Sequence, residues 1–139
     1  MLEFTPGVTI KTLNPYEQRL GSDYIDNLLE IGVVLLPEVY KAFPKYKIER
    51  CFTPKSRLED EGITINWEYR KFTRALGITF SIEDFNSSDA IAFCVMLDKE
   101  YNRKNHYIIN SDLKSITILI KMRVGSIIEI FKDKRRTIK

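Results

Sequence analysis

LKSITILIKMRVGSIIEIF, residues 113–131, decides how the C-terminal part of this chain is read, because it fits two templates. Leu113, Ile116, Ile120, Val124, Ile127 and Phe131 step by threes and fours, the spacing of one helical face. Ser111 stands where a cap belongs. Yet Ile116, Ile118, Ile120 and Met122 also alternate, and Ile and Thr favour strands. The stripe runs the full length and its start is capped, so the spacing predicts a C-terminal helix, with Gly125 as its weak point.

Working outward, the segments before it read as strands. Gly77 opens a run in which Ile78, Phe80 and Ile82 alternate. Residues 90–97 are a continuous apolar run whose periodicity is undecided. The Asn102-Arg103-Lys104-Asn105 turn and the returning Tyr107-Ile108-Ile109 favour a buried strand there, with a helix capped near Ser88 as the alternative. Ile63, Ile65, Trp67 and Tyr69 alternate with polar neighbours, which predicts a strand with four large groups on one face. Residues 71–76 read as a helical turn or a hairpin connection. Tyr46, Ile48, Arg50 and Phe52 alternate as a short strand, and residues 53–61 read as a surface loop.

At the N-terminal end, Asn14-Pro15-Tyr16-Glu17 combines an N-cap, a first-turn proline and an acid three residues on. Leu20, Tyr24, Leu28, Ile31 and Leu35 follow at helical spacing. Pro37 predicts a kink, or a second helix ending near Phe43. The expected fold class is α+β: an N-terminal helix, an antiparallel sheet of four to five strands, and a C-terminal helix packed on the sheet. Short gaps between strands favour antiparallel neighbours.

Composition bounds the function. The 139 residues, 44% hydrophobic and 29% charged, suit one globular domain spanning 1–139 and argue against disorder. Cys51 and Cys94, each in apolar surroundings, read as reduced core thiols. The start of the chain lacks a basic region followed by an apolar run, and no stretch has the length of a membrane span, so a cytoplasmic protein with no membrane partner is expected. The richness in Ile, Lys, Asn and Tyr suggests an AT-rich coding source, such as a phage or a low-GC bacterium. The net charge of +3 is uneven: the basic tail at 132–139, with Arg135 and Arg136, carries +4, so the other residues sum to −1.

Chemistry-bearing patterns are few. The single histidine, His106, reads as an exposed turn residue. No G-x-S-x-G, glycine-rich phosphate loop or zinc spacing occurs. The acidic groups Glu59-Asp60-Glu61 and Glu83-Asp84 with Asp89 do not match a calcium loop. No catalytic residue, cofactor or metal is therefore expected. Candidate contacts with nucleic acid or an acidic partner are Arg70, Lys71, Arg74, Arg103, Lys104, Arg135 and Arg136. Trp67, Tyr69 and Cys94 are candidate lining for a pocket beside the sheet. The expected function is a non-catalytic binding protein acting through protein–protein contacts, as a phage or bacterial regulator or inhibitor would. Nucleic-acid binding, and a small-ligand or enzymatic pocket, are the alternatives, and self-association is a further option for a partner.

Overall fold

The computed structural model describes residues 2–121. The tail at 132–139, with Arg135 and Arg136, and the latter part of the expected C-terminal helix lie outside the described residues. Among the described residues, four strands form an antiparallel sheet: β1 (Lys47–Arg50), β2 (Gly77–Ser81), β3 (Tyr107–Ser111) and β4 (Ser115–Ile120), in the order β1-β2-β4-β3. The α+β class and the antiparallel sheet stand as the sequence implied.

The start of the 113–131 stretch is a central strand, not a helix. β4 is paired on both sides, with Ile118 opposite Ile78 of β2 and Ile109 of β3. Ile116, Ile118 and Ile120 point into the core, and Leu119 is buried on the opposite face. A strand covered on both faces loses clean alternation, which is why its isoleucines also fit a helical stripe. Asp112 closes the β3–β4 hairpin: its Oδ1 accepts from the N–H groups of Lys114 and Ser115 at 2.9 and 2.8 Å.

Five helices precede the last hairpin's crossover. They are α1 (Ile10–Leu13), α2 (Ser22–Leu29), α3 (Leu36–Ala42), α4 (Lys55–Asp60) and α5 (Trp67–Thr73). A π-helical segment, Glu30–Leu35, joins α2 to α3, and Pro37 sits in the first turn of α3, as its missing N–H requires. The expected helix start at Asn14 is not used. Residues 14–20 are irregular, Asn14 donates to the Gln18 carbonyl, and Glu17 takes a φ of 51°.

The strand expected over 63–69 is overturned: α5 begins at Trp67, and Asn66 caps it by accepting from the Tyr69 N–H. The loop expected over 53–61 contains α4. The buried strand expected over 90–97 is α6 (Ser87–Tyr101). Asn86 caps it, accepting from Ser88 and Asp89 N–H groups. Ala90, Phe93 and Leu97 face inward while Ile91 and Val95 face solvent, so apolar groups on both sides erase the helical period.

α6 carries the chain from β2 to β3, and β4 then inserts between them, giving a split β-α-β arrangement. One sheet face packs against α6 and the π segment and its flanking helices. Rings of Phe43, Phe93, Phe80 and Tyr46 meet there in series, edge to face, at 5.3, 6.3 and 6.0 Å. α5 covers part of the other face. A Cβ on Gly77 would lie 2.9 Å from the Leu119 side chain and 3.2 Å from the Phe72 ring, so only glycine permits this close approach.

Candidate functional site

Two places among the described residues bear on function. The first is a cleft of about 360 Å3 on the outer side of β1. Residues 48–53 form one wall, Thr12, Pro15 and Tyr16 the other, and Glu61 closes one end. Among the described residues β1 is an edge strand, so one side of its backbone faces no strand of that set. Its register shifts between Ile48 and Arg50, and such a bulge re-aims the side chain that follows it. The Phe52 N–H donates to the Leu13 carbonyl at 3.2 Å, so the end of α1 meets the chain just beyond Arg50.

Arg50 is held as a fork. Nη2 donates to Glu61 Oε1 at 2.8 Å, and Nη1 donates to Glu61 Oε2 and to Thr53 Oγ1, both at 3.3 Å. Its guanidinium also sits 5.9 Å from the Tyr69 ring centre. The Arg50 side chain is 20% exposed and that of Glu61 45%. Their mutual hydrogen bonds are the largest cause of both shifts: the Arg50 pKa rises and the Glu61 carboxyl falls below its ordinary value. Cys51, on the cleft wall, is buried, and burial pushes its thiol up to about 12, so it is no thiolate at neutral pH.

The second place is the end of the sheet where β4 finishes. Lys71 reaches from α5 and donates to the carbonyls of Ile120 and Lys121 at 2.9 and 2.6 Å. The Lys121 N–H donates to the His106 carbonyl, and the Ile120 N–H to Leu76. These bonds bring α5 and the 103–106 turn to one end of the sheet. Arg70, Arg74, Arg103 and Lys121 are exposed. Burial first, and then the nearby Arg74 charge, lower the Lys71 pKa. Lys104 lies in the same short turn as Arg103.

Beneath this end, the expectation of an exposed histidine fails. His106 is nearly buried, and its Nε2 lies 2.8 Å from Glu30 Oε2. Glu30 comes from the π segment, a distortion often found at functional sites. Its carboxylate also receives the Tyr107 hydroxyl. Tyr107's pKa is raised by burial first, then by Glu30's charge and hydrogen bond. Nδ1 of His106 is buried with no protein partner. A carboxylate inside an apolar run, Leu28-Leu29-Glu30-Ile31, was the available signal, since a buried charge requires a partner.

The chain matches no protein-family model, no curated protein and no solved structure. Trp67 is exposed at the start of α5, Tyr69 lies by Arg50, and Cys94 is half-buried on α6. α5 and α6 pack on opposite faces, so the sheet stands between the two aromatics and Cys94. Among the described residues, no group of three His, Cys, Asp or Glu side chains is placed to hold a metal. No helix among them is long and apolar enough to cross a membrane.

Proposed function

We propose that this is a non-catalytic binding protein that docks a protein partner along the outer edge of β1. The observation that carries the reading is the cleft beside a strand edge left unpaired among the described residues, lined by Cys51 and Phe52 and charged by Arg50. An open edge offers backbone donors and acceptors to an added strand, and the adjoining hollow takes its side chains. A photo-crosslinking residue at Glu49, on the cleft wall, tests this in the source cell against the same residue at Asn110, on the other edge strand. A discrete adduct with one protein from position 49 alone is expected. Equal adducts from both edges, or none from position 49, overturn the reading.

A second reading, nucleic-acid binding, is favoured by the gathering of Lys71, Arg74, Arg103 and Lys121 at one sheet end. Phosphate contacts weaken steeply with salt. Binding of single- or double-stranded oligonucleotides at low salt, reduced in an Arg74→Glu/Arg103→Glu variant, supports it. Absence of binding at low salt removes it.

A further inference from the structure

Resting on the docking reading, we infer that the β1 cleft captures the C-terminal carboxylate of an extended peptide, which takes the place of Glu61 on the Arg50 fork. Three features converge on this chemistry. First, the fork already holds a carboxylate in bidentate geometry, with both Nη1 and Nη2 engaged. That geometry matches a planar two-oxygen anion. Second, the carboxylate now in place is easily exchanged. Glu61 is nearly half exposed, ends the short α4 and precedes Gly62, whose φ of 74° marks a tight turn. An exposed ion pair contributes little, so an incoming carboxylate displaces it at small cost. Arg50 is the more buried partner and is steadied by Thr53 and the Tyr69 ring, so it keeps its place while Glu61 swings out.

Third, among the described residues the strand edge is open along β1 but stopped just beyond Arg50. The Leu13 carbonyl already takes the Phe52 N–H, and residues 12–16 form the far wall. A peptide paired along Lys47–Arg50 has no edge on which to continue, so its chain ends where the guanidinium stands. Capture of a terminal carboxylate at the end of an added strand combines backbone pairing with one charge-assisted contact. Glu61 then serves as an internal occupant that keeps Arg50 paired until the peptide arrives.

The test uses the full chain, labelled for backbone-amide NMR, and three probes. These are a randomised short-peptide pool with free C-termini, the same pool amidated, and the amidated pool ending in Asp. The free-acid pool is expected to shift the amide signals of residues 47–53, and the amidated pool not to. Arg50→Ala should abolish the shifts. Glu61→Gln, which removes the competing charge, should tighten binding about two- to five-fold, the scale of an exposed ion pair. Equal shifts from the amidated pool, or from the Asp-ended amide, overturn the terminal-carboxylate inference while the edge-docking reading stands. No shift at 47–53 with any pool overturns both.

Discussion

Glu30 Oε2 and His106 Nε2 lie 2.8 Å apart across 76 residues of sequence, with side chains only 5% and 10% exposed. The contact joins the π segment to the turn that precedes β3. Removing the ring in His106→Ala leaves Glu30 buried with the Tyr107 hydroxyl as its remaining donor. Breaking a buried pair from one side costs about 3 kcal/mol. Urea unfolding should show that loss. Replacing both partners by apolar groups, as in Glu30→Leu/His106→Leu, should cost less than the sum of the two single changes. Additive losses would mean that the two groups do not act as a pair.

Gly77→Ala tests how tightly α5 lies on the sheet. The added methyl would meet Leu119 at 2.9 Å and Phe72 at 3.2 Å. Both neighbours are buried, so the Leu119 side chain on β4 and the Phe72 ring on α5 must both give way. Overpacking of this kind costs about 1–3 kcal/mol. Leu119→Ala in the same chain makes room, and the pair should lose less than the two single changes together. A Gly77→Ala variant as stable as the parent in thermal unfolding would contradict the packing described.

The sequence carried β2 well because only one of its faces is rich in large apolar groups, and its alternation survived. It also carried the break at Pro37, which is fixed by proline's missing donor. The segment 63–69 misled because four alternating large residues preceded a cap, and the Asn66 signal competed with period two. Residues 90–97 misled because Ile91 and Val95 face solvent on a helix whose other side is core. β4 misled because neighbours pair it on both sides and Leu119 is covered as well. The site was less readable still. Glu30 and His106 meet only through the fold, and Arg50 sits at an inward position of a strand where a bulge turns it to the cleft. Both left one trace, a charge set among apolar neighbours.

Stability should fall at alkaline pH. Burial is the leading cause that raises Tyr46, Tyr101 and Tyr107 above the ordinary tyrosine value of 10.0, and Cys51 from 9.0 to about 12. A raised folded pKa means that the unfolded chain ionises first. The stability these groups contribute is therefore whole below pH 9 and is lost as pH rises through 9 and 10 toward the folded values. Chemical denaturation across that window should show a steady decline. Tyr107→Phe should flatten it while costing about 1 kcal/mol at neutral pH through the lost bond to Glu30. A flat profile in the parent would contradict the burial of these hydroxyls.

Asp112 gives the opposite sign. Backbone N–H groups of Lys114 and then Ser115 lead the causes that hold its carboxyl below the ordinary 3.8. A depressed folded pKa contributes stability that is present above the unfolded value and lost as pH falls through the folded one. Asp112→Ala opens the turn that sets the β3–β4 register and should cost about 1 kcal/mol. Amide exchange at Lys114 and Ser115 should quicken in that variant. Unchanged protection there would show that the turn closes without the carboxylate.

Lys71 separates a structural cation from contact cations at the basic end. Its ammonium bonds two carbonyls at the finish of β4, whereas Arg74 and Arg103 are exposed. Lys71→Met keeps the stem and removes the donors, leaving the Ile120 and Lys121 carbonyls without that partner. The expected loss is about 1–2 kcal/mol, with faster amide exchange at the end of β4. Arg74→Ala and Arg103→Ala should change stability by less than about 0.5 kcal/mol, as exposed substitutions do. If oligonucleotides bind, these two arginine changes should weaken binding in the folded state, and Lys71→Met should act chiefly by lowering the unfolding midpoint. The reverse pattern, a stable Lys71→Met chain that no longer binds, would make Lys71 a phosphate contact instead of a clasp between α5 and β4.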